Sequence, residues 1–454
     1  IKKGETHQFP HMELATVFFC FVVEHYLKKS GQIAFVMPKA ILVSSHHAEF
    51  FKFEKPKLKL KQIFDLEKTE PLFRVPSCVI IGKKDEPTTF PVESLVIEGK
   101  LENRNCNLDE TKKFLDITKI QFKKSEISFK KSYYYTKFYQ GATIVPRNLF
   151  FVDIVRDNKA FLGINPLIPQ VESSKKNITK PPWDKITIKK QIDSKFLFAT
   201  LLGESIVPFG YRDFNLLALP ILRKNGQISI ISSFVELQKS DYINASNYFK
   251  EVEQKWKENA TTKSKKMTSY QRLNFRQGIT RQNFNIKFKV IYVASSTYLT
   301  SSVIDMTNSI IQKEGEQEIQ LGGFIAESKT YFYETNNEFE AYYLCAILNS
   351  KTVDNIIKPM QTRGLWGPRD IHKRPLLLPI PEFNKKNKHH KQLSALGIEC
   401  NKKTPAILAN LKLRSIGLVR SEVRKQLNQE LYQIDELVKM IMCEEDPTIS
   451  NAMK

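Results

Sequence analysis

The sequence lacks the short signatures that mark most enzymes. GxGxxG, GxxxxGK[ST], HExxH and GxSxG are all absent from its 454 residues. No dinucleotide loop, P-loop, helix-borne zinc pair or nucleophile elbow is therefore encoded in the usual form. The cysteines Cys20, Cys78, Cys106, Cys345, Cys400 and Cys443 are scattered, with no CxxC and no Cys/His cluster at zinc-ligand spacing. They read as buried thiols in a reducing compartment, and a cytoplasmic location is expected. His389 and His390, in "NKKNKHHK", read as a solvated basic loop, and no metal is expected. No apolar run approaches the ~20 residues of a membrane span, and no signal peptide is visible. The first residue is Ile1, so the natural beginning is expected further upstream.

What is present is length, apolar content and positive charge. A chain of 454 residues has room for two or three domains, and 41% hydrophobic residues exclude wholesale disorder. Against 48 acidic residues stand 70 Lys plus Arg, a net charge of +22. That excess favours a polyanionic partner, most often nucleic acid, because each neutralised phosphate releases counterions. The plain alternative is a lysine-rich genome whose protein surfaces drift basic.

The pattern changes along the chain. "MELATVFFCFVVEHYL" predicts an apolar helix stopped by "KKSG"; "GQIAFVMP", "LKQIFDLE" and "SCVIIGKK" predict short strands; "AILVSSHHAEFFKF" predicts a second helix. Strands alternating with helices indicate an α/β sheet covered on both faces. Residues 99–140 are charged and read as a connector with some local helix, and residues 141–384 read as a mixed α+β domain. Within it "NIKFKVIYVA" alternates Ile286, Phe288 and Val290 with Lys287 and Lys289, a half-buried strand; "ISIISSFVEL" and "KTYFYET" read as strands and "FEAYYLCAILNS" as a helix. Residues 385–454 read as a helical tail, with Val423, Leu427, Leu431, Ile434, Val438 and Ile441 on one apolar face.

Two stretches imitate catalytic motifs. "AESK", with Glu327 and Lys329 and with Asp305 upstream, imitates the D…ExK metal site of nucleases, but ExK arises easily in a chain rich in both residues. "KPPW" resembles the [DN]PP[YFW] motif of amino-methyltransferases; Lys180 stands where a hydrogen-bond acceptor is required, and the stretch reads as a rigid loop.

"ELATVFFCFVVEHYLKKSGQIAFVMPKAIL" followed by "IFDLEKTEPLFRVPSCVIIGKK" resembles the later half of the catalytic domain of DNA adenine N6-methyltransferases. The nearest likeness is to type II restriction–modification enzymes with a fused target recognition domain. It extends more loosely through "GATIVPRNLFFV", "YQRLNFRQGITRQN" and "TRGLWGPRDIHKRPLLLPIP". The resemblance implies a partial Rossmann-like methyltransferase sheet over residues 1–98, a target recognition domain and a helical tail. It implies S-adenosylmethionine as methyl donor and double-stranded DNA as substrate. Its cofactor loop and NPPY motif should precede the Met12 helix, where about eleven residues stand. Catalytic residues are therefore expected in the missing half or in a separate partner chain, and this chain cannot perform the family's methyl transfer alone. Phe73, in "EPLFRVP", would contact the adenine once it is flipped from the duplex; without the family it would read as an ordinary strand-edge Phe.

Candidate DNA contacts are Arg147, after the proline of "GATIVPRN", and Arg272, Arg276, Arg281, Gln282 and Asn283 in "YQRLNFRQGITRQNF". Forked arginines read guanine or hold phosphates, and amides read adenine. Arg363, Trp366, Arg369, His372 and Lys373 form a second set in "TRGLWGPRDIHKRP", with "LLLPIP" as an anchoring strand. Tyr133–Tyr139 could stack on bases or pack inside the protein, and the hydroxyls of Thr297–Ser302 suit phosphates. The expected function is a sequence-specific adenine methyltransferase; the alternatives are a non-catalytic DNA-specificity module and a nuclease.

Overall fold

The computed structural model describes residues 14–43, 57–122, 129–155, 164–176, 179–224, 227–262, 264–361, 363–364, 367–368, 370–412 and 415–453. The chain divides into two compact units, residues 1–129 with 355–370 and residues 130–354 with 371–454.

In the first unit α1 (Leu14–His25) buries Thr16, Phe19 and Val23, the i, i+3, i+7 positions of one face. Lys84 Nζ donates to the Glu24 and Leu27 carbonyls, a cation at the negative end of the helix. Gly31 makes the exit tight, since a Cβ there would stand 2.9 Å from the Lys28 carbonyl oxygen. The chain then enters β1 (Gln32–Pro38) and a short α2 (Ala40–Val43). With β2 (Leu58–Glu70), β3 (Ser77–Lys84), β4 (Val92–Lys100) and β5 (Leu115–Phe122), β1 forms a five-stranded sheet in the order β1-β3-β2-β4-β5. β3 is antiparallel to both β1 and β2, and β4 is parallel to β2. So β1, β2 and β4 run one way, and β3 and β5 the other. The sheet thus combines one parallel pair with three antiparallel ones. Its core joins Phe19 and Val23 to Ile33, Met37, Leu58, Ile63 and Ile80. Part of the expected connector, residues 99–140, is structured: α3 (Leu108–Phe114), capped by Asn107, leads directly into β5 of this sheet.

The second unit contains two larger antiparallel sheets. One orders the strands Leu197–Thr200, Asn215–Ala218, Phe151–Ile154, Gln170–Ser173 and Lys189–Gln191. The other orders Ser301–Asp305, Phe288–Val293, Thr330–Thr335 and Tyr139–Gln140. The helix Glu338–Asn349, N-capped by Asn337, packs on this second sheet and against the helix Lys388–Ala409. "LLLPIP" is not a strand: a 3₁₀ turn covers Arg374–Leu377, though Leu376, Leu378 and Ile380 are buried as an anchor should be. Only the start of "ISIISSFVEL" is a strand, Gln227–Ile230, and Val235–Gln238 is a helical turn.

The tail's apolar face is real, but it is carried by two helices. Ile416–Gln426 ends and Asn428–Glu445 begins at Leu427, whose φ of −97° and ψ of 20° break the run. Val423, Leu427, Leu431, Ile434, Val438 and Ile441 are all buried. His390 is likewise buried, not solvated. Its Nδ1 accepts from the Asn384 N–H at 3.0 Å, and its ring stacks on Tyr343. Burial holds its pKa below the usual value, against the pull of Glu444 and Glu445.

A neutral His390 is thus part of the fold. Its stabilising contribution is complete above the unfolded value of about 6.5 and is lost as pH falls through the lower folded value. We expect the urea midpoint to fall between pH 7.5 and 5.5, and the fall to shrink in His390→Gln, which keeps an acceptor without the titration. Equal pH dependence in both proteins would refute this.

Candidate nucleic-acid interface

The surface that gathers the basic residues is organised from below by a buried cation. Alternation places Lys289 on the solvent face of its strand, yet every residue of Phe288–Val293 is buried and Lys289 completely so. Its Nζ donates to Gln282 Oε1 at 3.0 Å and meets Glu334 Oε1 at 3.1 Å. The rings of Phe284, Phe324 and Phe332 lie 5.2–6.0 Å from it. Burial lowers its pKa and Glu334 opposes that shift. A buried charge persists in a fold when it is paired and hydrogen-bonded, as this one is.

Gln282 uses its whole amide in this network. Besides Lys289, its Oε1 accepts from Ala326 N at 2.8 Å, and its Nε2 donates to the Gly278 and Ala326 carbonyls at 3.1 and 3.0 Å. Glu334 Oε1 also accepts from Asn283 N at 2.9 Å. Gln282 therefore clips one loop to the next and is not available to a base, which corrects its reading as a DNA contact.

Above the clip, the helix Ser269–Leu273 is held by a Thr268/Gln271 capping box. The following turn is closed by Asn274, which donates to Thr280 Oγ1 at 3.0 Å and accepts from Thr280 N at 3.2 Å. Inside it Arg276 and Gln277 have φ of 56° and 57°, left-handed values that cost a non-glycine residue energy. Gly278 lets this turn lie against Ala142, where a Cβ would come 3.0 Å from the Ala142 Cα.

Outward from that base, Arg281 lies 4.8 Å from the ring centroid of Tyr139, and Arg272 and Arg276 each lie 5.2 Å from that of Phe275. Tyr139 and Gln140 pair with Phe332 and Tyr331, and Tyr331 meets His372 edge-on at 6.3 Å. Lys373 donates to the Tyr135 carbonyl at 3.0 Å, and partial burial lowers its pKa, so it is tied to the fold. Arg147 is salt-bridged to buried Glu327 at 3.3 Å. Among the described residues Arg272, Arg276 and Arg281 have no carboxylate partner. Sequence reasoning passed over Phe275 and Lys289. An aromatic between two arginines was the available signal for the first; nothing in strand alternation could signal the second.

Other candidates fall elsewhere. Asn283 is exposed, with Oδ1 accepting from Asn285 N at 2.8 Å. Thr300, Ser301 and Ser302 are buried, while Thr297 of the same run is exposed. Arg363–Gly364 and Gly367–Pro368 form a small backbone hairpin in the first unit. The Arg363 side chain, Trp366 and Arg369 lie outside the described residues. Phe73 is 40% exposed in the loop after β2, and the adjoining Pro76 carbonyl accepts from Lys39 N just past the end of β1. It stands at the carboxyl edge of codirectional strands, where α/β sheets bind ligands. The Glu327 carboxylate is occupied by Arg147, Ser328 Oγ and Lys329 N, and Asp305 by Thr307. No cluster of three or more His, Cys, Asp or Glu that could hold a metal occurs among the described residues. Trp183 of "KPPW" stacks on Trp256, as suits a structural loop. No helix of the described residues is long and apolar enough to cross a membrane.

No family model matches the sequence, and no curated protein matches it. The fold resembles part of one solved restriction–modification enzyme. It is similar to the structure of the type IIL restriction–modification enzyme MmeI in complex with DNA, with a TM-score of 0.54 at 12% identity, over 99% of this chain and 52% of that one. The type IIG restriction endonuclease BpuSI aligns over 95% of this chain and 49% of its own at 13% identity, but its TM-score is only 0.28. The chain thus spans about half the length of the solved structures it matches.

The two kinds of residue should separate on mutation. Gln282→Ala strands Ala326 N and removes one partner of buried Lys289, and should destabilise the fold by about 2–4 kcal/mol in chemical denaturation. Arg281→Ala, at an exposed site, should change stability by no more than about 0.5 kcal/mol. Comparable losses for both would show that the clip has been misassigned.

Proposed function

We propose that this chain is the DNA-reading portion of a restriction–modification enzyme, the later half of a sequence-specific DNA adenine N6-methyltransferase with its target recognition domain. One observation carries the reading: exposed Arg276 and Arg281 and half-buried Arg272 have aromatic partners and no carboxylate among the described residues, on a chain of net charge +22. Phosphate contacts would orient the duplex and forked guanidinium groups would read base edges. The fold likeness and the order of the sequence segments support the family. Phe73, exposed at the carboxyl edge of the sheet, would supply an apolar face to a flipped adenine.

S-adenosylmethionine would be the methyl donor of such an enzyme. Gly31, Gly82 and Gly99 of the first unit do not make its cradle, since each abuts this chain's own atoms. No step of methyl transfer is therefore assigned to these residues. The same DNA-facing residues would serve equally in a DNA-specificity module that acts beside a separate catalytic chain.

Duplex binding followed by fluorescence anisotropy tests the common ground. Affinity should fall steeply between about 50 and 200 mM salt, as it does when several phosphates are neutralised. Binding that is flat over that range would end the proposal. On duplexes enriched from a random pool, Arg276→Ala should cost about 1–3 kcal/mol more than on unselected DNA if it reads a base. An equal loss on both would demote it to phosphate positioning.

A further inference from the structure

We propose that Phe275 is a wedge that enters the base stack of duplex DNA, between two arginines that take the flanking phosphates. The inference rests on the reading of this unit as a DNA-recognition domain, and adds a deformation of the DNA to it. Phe275 is 45% exposed, while Tyr270 and Leu273 beside it are buried. It therefore contributes little to the core.

Its setting is rigid. The preceding helix is capped at its start, and the Asn274–Thr280 hydrogen bonds close the turn that presents the ring. Left-handed Arg276 and Gln277 sharpen that turn, and Gln282 anchors its far end. An exposed apolar ring on a mobile tip would fold back on the surface; this one is held outward. Strain retained at such a tip points to use of the residue it displays.

The flanking charges complete the arrangement. Both guanidinium groups sit 5.2 Å from the ring centroid. In the free protein they shield its face by cation–π contact, worth ~0.5–1 kcal/mol at exposed sites. On DNA they have stronger partners in the phosphates, so their departure uncovers the ring next to the backbone. Apolar wedges between base steps unstack them and kink the duplex, at a cost met by the added contacts. Sequences with flexible pyrimidine–purine steps would be favoured at a position no polar group touches.

The test uses the full chain and duplexes enriched by it from a random pool, each carrying 2-aminopurine at one adenine position in turn. The expected result is a several-fold rise in 2-aminopurine emission at one step on binding. Phe275→Ala should bind the same duplexes with an unchanged salt slope and affinity within about tenfold, with no rise; Phe275→Leu should restore part of it. Binding by the wild-type chain without any rise, or an equal rise with Phe275→Ala, overturns the wedge and leaves DNA recognition standing. Failure of the wild-type chain to bind any duplex overturns both. Unchanged circular dichroism and melting of Phe275→Ala keep a loss of fold from imitating the expected result.

Discussion

The basic face of this protein depends on one buried lysine and its half-buried glutamate partner. Lys289 lies beneath the surface against half-buried Glu334, and Gln282 joins it to two backbone segments. Alone, the Lys289 charge would cost several kcal/mol to bury. Together with the three surrounding phenylalanines these side chains form a satisfied polar centre inside an apolar layer. Such centres tolerate few alternative arrangements, because each shift breaks a hydrogen bond with no water to replace it. The position of the 274–283 segment is therefore fixed by electrostatics from below together with its own hydrogen bonds.

That foundation divides the basic residues into two roles. Arg147 and Lys289 are neutralised by Glu327 and Glu334, and Lys373 is drawn onto a backbone carbonyl. They hold strands and loops together. Arg272, Arg276 and Arg281 rest on aromatic rings, a weaker hold that leaves their charge available. A cation parked on a ring is ordered without being spent, and it can move to a phosphate at small cost. Net charge alone could not separate these roles; the placement of the carboxylates does.

Much of the first unit was legible because its strands are short, apolar and bounded by glycine or proline. "GQIAFVMP" and "SCVIIGKK" became β1 and β3 almost to the residue. Their directions were not legible, since an apolar run carries no sign of parallel or antiparallel pairing. Lys289 was misread because alternation assumes that one face of a strand meets water, and here both faces are covered. Gln282 was misread for a related reason: its neighbours in sequence are exposed, and only the packing of residues 324–326 beneath it makes it internal. Leu427 shows the converse case, where apolar spacing continues across a break between helices and hides it.

The left-handed pair at Arg276 and Gln277 ties these threads together. Each such residue costs roughly 1–3 kcal/mol of backbone strain, which an unanchored loop would relieve by rearranging. The Asn274–Thr280 bonds and the Gln282 clip, each hydrogen bond worth only about 0.5–1.5 kcal/mol net, must act jointly to prevent that. What the strain secures is a turn whose shape is already set before any partner arrives. Ordering a loop during binding consumes part of the interaction energy, and a loop ordered in advance leaves that energy for discrimination. The buried lysine and the strained turn are thus two ends of one device. One supplies the stability and the other uses it to hold two arginines and a phenylalanine outward.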